Sequence, residues 1–160
     1  MSQIALLVLL AATAMTGLLT GASLDQSIKQ LPARHKIGAK AYSAYAQAAD
    51  LGNGIAFYAI MGIGAALLTI IAVILAFQSS TLSSTLTITL ILAAALAVAH
   101  SLMTTQAAPK MLSQHKVADD EAALHQLFNR FEFWQALRAI FQVLNFLALL
   151  AAIYIYIIGR

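Results

Sequence analysis

Four polar side chains recur near the end of the chain at spacings of three, four and three residues: Gln135, Arg138, Gln142 and Asn145. This spacing places them on one face of a helix. Because a lipid-facing arginine costs about 3 kcal/mol at the centre of a membrane, the face should look toward other helices. We expect it to line a polar cavity in which Arg138 stabilises negative charge on a substrate oxygen, helped by Gln142 or Asn145. Hydrogen bonding between helices is the alternative use of this face.

A histidine lies within the longest uncharged stretch of the chain. No Asp, Glu, Lys or Arg occurs from Leu51 to Pro109, and His100 is the only histidine there. Ionisable groups inside apolar segments are rare and often mark a site. An imidazole exchanges a proton near neutral pH, so His100 could act as a general base. A hydrogen bond from His100 to a neighbouring helix is the alternative.

Acidic and amide side chains are expected at the same level as these two groups. Asp25 follows the first apolar segment, and Asp50 and Asn53 precede the second. Arg138 needs a counter-charge, which Asp25 or Asp50 is expected to supply. Asp25 could instead orient His100. The sequence therefore predicts that a carboxylate, an imidazole and a guanidinium converge between the helices.

Two aromatic residues complete the predicted site. Trp134 precedes Arg138 by one helical turn, and Tyr58 lies near the start of the second apolar segment. Both are expected to line the apolar part of the pocket, although Trp134 could instead belong to an interfacial aromatic belt. The chain has no cysteine and its other histidines lack the spacing of metal ligands, so no metal and no other cofactor is predicted. A haem or a quinone stays an open alternative.

Helices in a membrane must position these side chains. Hydrophobic residues make up 61% and charged residues 9% of the chain, against about 45–50% and 25% in soluble domains. One crossing needs about 20 apolar residues, and the uncharged apolar runs predict four crossings, at about 4–23, 54–77, 85–108 and 133–158. Since backbone polar groups in lipid must be paired within the segment, we expect an all-α fold. The sequence thus predicts a single domain, 1–160, that forms a four-transmembrane-helix bundle.

Prolines and acidic residues predict where the helices end. Pro32 disfavours helix just before it, and Pro109 should mark the end of the third crossing. Residues 37–50 are expected to form an amphipathic helix between the first two crossings. Asp119 to Glu121 is a favourable start for a fourth helix of about 40 residues. That helix should extend beyond the membrane on the cytoplasmic side, and the uncharged residues 77–85 should connect the second and third crossings.

Basic residues are distributed unevenly between the two sides. The predicted loops 24–53 and 109–132 carry seven, namely Lys29, Arg34, Lys36, Lys40, Lys110, Lys116 and Arg130, whereas the opposite side has only Arg160. The positive-inside rule predicts that both loops are cytoplasmic and both termini outside, in an inner (cytoplasmic) membrane. A cleaved signal peptide is the alternative for the first crossing. Against it, no Lys or Arg precedes the apolar run, which exceeds the usual h-region of about 7–15 residues.

Small residues line one face of the first predicted helix. Thr13, Gly17, Gly21 and Asp25 recur every four residues. Two glycines four residues apart allow helices to approach closely. We expect this face to point into the bundle, which would bring Asp25 to the inner mouth of the pocket. The glycines could instead pack between protomers, so a homo-oligomer stays open.

Motifs spread over nearly the whole chain follow the pattern of a known family. They are the Gly-rich end of the first helix before the loop with Pro32, the stretch Tyr45 to Gly54, Ala108 to Met111, and Phe131 to Arg138. In these the chain resembles the anthrone-oxygenase-like family of small four-helix integral membrane proteins. Members of known activity oxidise an anthrone to an anthraquinone with dioxygen, without a recognised metal or flavin. The resemblance therefore implies a cofactor-independent oxygenase.

Two functional hypotheses follow from these observations. The first is an enzyme that oxidises an apolar phenolic or polycyclic substrate with dioxygen in an intramembrane pocket near the cytoplasmic mouth. The second is a non-enzymatic bundle that binds a small molecule or lipid, or serves as an assembly partner. The expected partners are the bilayer and an apolar small molecule; the basic loops lack interleaved aromatic residues, so nucleic acid is not expected. The predicted catalytic residues are His100, Arg138 and Asp25, and the predicted substrate-binding residues are Trp134, Gln142, Asn145, Tyr58, Asn53 and Asp50.

Overall fold

The computed structural model describes residues 1–78 and 82–159, and this part of the chain is helical almost throughout and contains no β-strand. Six α-helices follow one another: α1 (Gln3–Asp25), α2 (Leu31–Ile37), α3 (Ala39–Ala46), α4 (Gly54–Phe77), α5 (Ser84–Ser113) and α6 (Glu121–Ile158). Two π-helical segments, Gln26–Gln30 and Gln47–Asn53, join α1 to α2 and α3 to α4. A 3₁₀ turn, Gln114–Val117, follows α5.

Four helical stretches are long and apolar enough to cross a membrane: Gln3–Ile37, Gly54–Phe77, Ser84–Val117 and Glu121–Ile158. They confirm the predicted all-α fold and the number of candidate crossings among the described residues. The centre of the predicted connection between the second and third crossings, residues 79–81, lies outside the described part of the chain.

Side-chain caps explain where three of the long helices begin. Ser2 accepts a hydrogen bond from the Ala5 amide at the start of α1, and Ser83 does the same for Leu86 at the start of α5. Asp120 accepts from the Ala123 amide at 3.0 Å and caps α6. Each oxygen satisfies one of the amides that the first helical turn leaves unpaired. The acidic start of the fourth long helix is thus confirmed, and α6 runs for 38 residues.

Both prolines lie inside helical structure, and here the predictions were wrong. The chain stays helical from Gln3 to Ile37, and Pro32 occupies the first turn of α2. A proline lacks the amide hydrogen and its ring crowds the carbonyl four residues earlier. The π-helical segment directly before α2 has the wider turns that accommodate such a residue. Pro109 likewise lies within α5, which continues to Ser113.

The connection between the first two long helices is a short helical hairpin. Gly38 separates α2 from α3 with φ of +86°, a backbone conformation that favours glycine. The π-helical segment Gln47–Asn53 then leads into α4, and a Cβ on Gly54 would lie only 2.7 Å from the Ala49 carbonyl oxygen. Glycine is therefore required where this segment meets α4.

The long helices pack side by side, with α5 along α6, α1 along α4 and α6, and α4 along α5. One buried cluster includes Leu9, Leu90 and Leu149, and a second includes Tyr42 and Phe128. Near the first cluster the Tyr156 hydroxyl donates to the Met1 carbonyl, so both termini lie at one end. At the opposite end Arg34 contacts Glu132, and Ser43 contacts Gln114. Residues 24–53 and 109–132 therefore share the end opposite the termini, as predicted.

The small-residue face of α1 points into the protein only along its first part, so the prediction was correct in part. Thr13 is buried and a Cβ on Gly17 would lie 2.9 Å from the Phe146 ring on α6, whereas Gly21 is exposed and Asp25 is partly exposed. Gly17 and Gly21 line an outward-open groove between α1 and α6, together with Phe146 and Leu150. A Cβ on Gly21 would meet no atom within 4 Å. The centre of the buried face of α1 passes through Leu9, Ala12, Thr16, Leu19 and Ser23, with Thr13 and Thr20 buried beside it. This shift in helical phase decides which residue at the end of α1 can reach the site.

Candidate functional site

A cavity of about 250 Å³ lies at the end of the helices that also carries α2 and α3. Its polar lining consists of four side chains, Gln26, Asp50, Tyr58 and Arg138, supplemented by Thr104. The rest of the lining is apolar: Leu51, Ile55, Ala59, Ala108, Met111, Leu112 and Phe131. Small-molecule sites commonly combine a mostly apolar wall with a few polar groups in this way.

A hydrogen-bonded chain connects the two charged groups of this cavity. Arg138 donates from Nη2 to Gln26 Oε1 at 3.2 Å, and Gln26 Nε2 donates to Asp50 Oδ2 at 3.2 Å. The amide of Gln26 thus separates the guanidinium from the carboxylate. Arg138 Nε is buried and has no hydrogen-bond partner among the residues that the structure describes. Arg138 itself lines the cavity, so its guanidinium is the cationic group that a ligand in the cavity can meet.

Asp50 is the buried carboxylate of the site and belongs to the π-helical segment before α4. Burial raises its pKa because the charged form loses hydration, while hydrogen bonds from Gln26 and Tyr58 and the positive charge of Arg138 act in the opposite direction. The phenol of Tyr58 therefore faces the same carboxylate as Gln26 does. Asp50 provides the counter-charge that Arg138 was predicted to need, although through Gln26 and not by direct contact.

His100 is held from two sides by protein groups. It is buried on α5, and Gln142 on α6 lies 3.0 Å away, measured from Nε2 to His100 Nδ1. With the amide as donor, Nδ1 accepts and the ring proton of the neutral imidazole is on Nε2. The backbone of Gly62 on α4 lies near the same ring. In this tautomer the lone pair that could take a proton is on Nδ1, so proton transfer from a substrate requires that the bond to Gln142 opens.

A groove of about 570 Å³ adjoins the cavity along the outer side of α4 and α5. Tyr58, Ala59 and Thr104 line both spaces, so the groove and the cavity are continuous. His100 lines the groove but is absent from the lining of the cavity. Among neighbouring long helices α4 and α5 have the sparsest contacts. The site is consequently accessible from the side, between these two helices.

The polar face of α6 serves two purposes. Gln135 is buried against α1 and donates to the Ser23 carbonyl and the Ser27 hydroxyl, both at 3.4 Å. Gln142 binds His100, and Asn145 is buried outside the lining of both spaces. Of the predicted stripe only Arg138 lines the cavity. Two of its four members therefore follow the alternative prediction of hydrogen bonds between helices, whereas Asn145 Oδ1 is buried without a partner among the described residues.

Two predicted residues lie away from the cavity. Asp25 accepts hydrogen bonds from Lys29 and from Gln30, the latter at 2.8 Å, and Lys29 is largely exposed. The predicted contact between Asp25 and Arg138 was wrong, because the neighbouring Gln26 is the residue whose side chain is buried and faces Arg138. Trp134 does not line the cavity; its ring packs under the Lys110 ammonium, 5.7 Å from the ring centre. The aromatic-belt alternative for Trp134 stays a prediction. The side chain of Asn53 lies outside the described part of the chain.

Two functionally placed residues were missed by the sequence interpretation. Gln26 was overlooked because the phase of α1 was set from its glycines. Arg34 was treated only as part of the charge asymmetry, yet it is fully buried and donates to Glu132 and Asn129 on α6. Its position two residues after Pro32, which can occupy the first turn of a helix, was the signal that could have identified it.

Among the residues that the structure describes, no three His, Asp or Glu side chains lie together in a way that could hold a metal ion. The groups that can meet a ligand are thus the guanidinium, carboxyl, phenol and amide of the cavity and the imidazole beside it. No protein-family model, no curated protein and no solved structure matches this chain.

Proposed function

We propose that this chain is an integral membrane four-helix bundle that binds an apolar phenolic, quinonoid or polycyclic molecule within the membrane. The observation that carries the proposal is the lining of the cavity, where Arg138, Asp50, Tyr58 and Gln26 form the polar part of an otherwise mostly apolar wall. A ring compound with an oxygen would accept a hydrogen bond from Arg138 and cover the apolar wall at the same time.

The charges of the cavity indicate the kind of oxygen. Asp50 lies one amide away from Arg138, so the polar end carries one negative and one positive group. A second anion would be repelled by the carboxylate, whereas a neutral carbonyl or phenol can accept from Arg138 without such a cost. A hydroxyl on the ligand could donate to Asp50 at the same end. The site therefore suits a neutral ligand with carbonyl or phenolic oxygens.

The orientation of the bundle follows from its basic residues. The end with α2 and α3 carries seven Lys and Arg in segments 24–53 and 109–132. By the positive-inside rule this end is cytoplasmic, the first turns of α6 extend beyond the membrane there, and both termini are outside. In a bacterial cell that orientation corresponds to the inner membrane. The ligand would then bind in the cytoplasmic half and reach the site from the bilayer.

A cofactor-independent oxygenase is the second candidate function, and the position of His100 on the wall of the groove favours it. An anthrone-like substrate would lose a C–H proton to His100, and Arg138 would stabilise the enolate oxygen. The enolate would reduce dioxygen: one oxygen atom becomes the new carbonyl and the other leaves as water. Because the Gln142 amide occupies the Nδ1 lone pair of His100, proton transfer to this ring needs an additional rearrangement that simple binding does not.

Binding is tested by the fluorescence of Trp134, the only tryptophan of the chain, which lies one turn from Arg138 on α6. Menadione, a naphthoquinone without a side chain, is titrated into the purified protein in detergent micelles. We expect saturable quenching, and Arg138→Met should weaken affinity about 10- to 150-fold, since a hydrogen bond to a charged group contributes about 1.5–3 kcal/mol.

Arg130→Met is the matched control, because it removes the same charge from an exposed position on the same helix. It should leave the affinity unchanged. Equal affinity of Arg138→Met and the control, with both proteins folded, would contradict the binding proposal. The oxygenase candidate is tested separately by dioxygen uptake in the presence of anthrone. If His100→Gln leaves this uptake unchanged, or wild-type protein shows none above the buffer rate, that candidate is rejected and binding stands on its own.

A further inference from the structure

The groove between α4 and α5 is long and mostly apolar, and beyond Tyr58 its polar lining residues, His100, Ser101, Thr104 and Thr105, all belong to α5. On α4 its lining runs from Tyr58 to Ile70, twelve positions apart, which corresponds to about 18 Å along the helix. Gly62 and Ala66 leave its floor open, while Ile63, Leu67 and Val98 form the sides. None of its lining residues is Asp, Glu, Lys or Arg. Such a space fits an extended hydrocarbon chain better than a second ring system.

The floor of the groove is unoccupied by protein atoms. A Cβ added to Gly62 would meet nothing within 4 Å, although the residue faces α5. The same is true of Gly21 in the groove between α1 and α6. Only the α4–α5 groove, however, is continuous with a polar cavity, since Tyr58, Ala59 and Thr104 belong to both spaces. The two spaces together describe a ligand with a polar ring end and an apolar extension.

We propose that the natural ligand is a chain-bearing ring lipid: a neutral ring with carbonyl or phenolic oxygens between Tyr58 and Arg138, and one prenyl or alkyl chain along the α4–α5 groove. The proposal rests on the function proposed above and narrows it from apolar ring compounds in general to those with a linear chain. The small cavity holds the ring, and the groove holds the chain parallel to the helices. Such a ligand would enter sideways from the bilayer with its chain still in lipid.

The proposed binding of a hydrocarbon chain in the groove is tested with three probes and a pair of glycine variants. The probes are a dimethoxy-methyl-benzoquinone with a decyl chain, the same quinone without the chain, and decanol as a chain without the ring. Quinone affinities are measured by quenching of Trp134, and decanol is added as a competitor. Gly62→Leu places a side chain in the groove, and Gly21→Leu places the same side chain in the open groove of α1 as the matched control.

We expect Gly62→Leu to weaken the affinity for the decyl quinone about tenfold, which is the amount that roughly two buried methylene groups contribute. The affinity for the chain-free quinone should not change. Gly21→Leu should alter neither affinity. Each comparison uses one probe in different variants, so the partition of the probe into micelles cancels. Ala66→Leu, one turn further along the same groove, should repeat the result and guards against a folding defect particular to one variant.

Three outcomes would overturn the inference about the hydrocarbon chain, and a fourth would overturn the proposed function as well. If Gly62→Leu and Ala66→Leu weaken both quinones equally or neither of them, the groove does not hold the chain. If decanol displaces the decyl quinone as well as the chain-free quinone does, the groove accepts any membrane acyl chain and the ring is not recognised. If the chain-free quinone binds wild-type protein but Gly62→Leu does not change the affinity for the decyl quinone, the ring site stands and only the proposal about the hydrocarbon chain fails. If neither quinone binds, the proposed function itself is wrong.

Discussion

Removing Glu132 should destabilise the protein more than removing its buried partner Arg34. The Arg34 side chain is fully buried and that of Glu132 is 40% exposed, and Arg34 Nη2 lies 2.6 Å from the Glu132 carboxylate. Arg34 also donates to Asn129 at 3.0 Å and lies 5.9 Å from the centre of the Phe128 ring. These contacts fasten α2 to α6. Glu132→Ala leaves the buried guanidinium without its charge partner, whereas Arg34→Met removes the charge itself.

The magnitudes follow from burial. Breaking a wholly buried pair costs about 3–5 kcal/mol, but the partial exposure of Glu132 reduces this toward one charge-assisted hydrogen bond, about 2 kcal/mol. Arg34→Met loses the same bond, yet it also removes Nε and Nη1, which are buried without a partner among the described residues. An apolar replacement of a buried charge is often close to neutral. We therefore expect about 2 kcal/mol for Glu132→Ala and about 0–1 kcal/mol for Arg34→Met.

Thermal unfolding in detergent micelles, followed by circular dichroism, measures both changes. A loss of about 2 kcal/mol corresponds to a decrease in Tm of about 4–8 °C. In the Arg34→Met background, Glu132→Ala should have no further effect, because the charge it neutralises is gone. Asp25→Asn is the control, since it removes the acid of an exposed pair with Lys29 and should leave Tm unchanged. If Arg34→Met lowers Tm more than Glu132→Ala does, or if the two effects simply add, the assignment of a buried, coupled pair is refuted.

Two further predictions concern the site itself. Because burial raises the pKa of Asp50 above its ordinary 3.8, the folded protein binds the extra proton more tightly than the unfolded chain. The free energy of unfolding should fall as pH rises from about 3.8 to the raised pKa and stay lower above it. Asp50→Asn should abolish this dependence in denaturant titrations. A pH profile that is the same in Asp50→Asn as in the wild type would contradict the role of Asp50. Gln142→Leu should cost about 1–3 kcal/mol by leaving His100 Nδ1 buried without a donor. His100→Leu in the same chain should recover part of this loss in Tm, and strict additivity would show that the two side chains do not interact.

Hydrophobic composition was enough to predict the helices, because a run without charges cannot be placed in water or in irregular structure within lipid. The same runs also predicted that residues 24–53 and 109–132 lie at one end. The helix ends at Pro32 and Pro109 were not predictable in this way. A proline weakens a helix locally, but tertiary packing and a π-helical turn can keep the chain helical through it.

The site was predicted in part for a similar reason. Helical periodicity identified one face of α6 but could not distinguish a residue that lines a cavity, such as Arg138, from one that bonds to a neighbouring helix, such as Gln142. On α1, adjacent residues point about 100° apart, so an error in the buried phase replaced Gln26 by Asp25. The glycines misled because small residues suit both a tight helix contact and an open groove.

The two π-helical segments make the geometry of the site depend on the number of residues between the long helices. Gln26 belongs to one and Asp50 to the other, and these two side chains bind each other across the cavity. A π-helical turn accommodates more residues than an α-helical one. Deleting one residue from Gln47–Asn53 would let α3 and α4 join as an ordinary helix, and everything before the deletion would turn by about 100° relative to α4. Either the hydrogen bond between Ser43 and Gln114 or the hydrogen bond between Asp50 and Gln26 would then be broken. The spacing of residues in these segments is thus constrained even where their chemical identity is not.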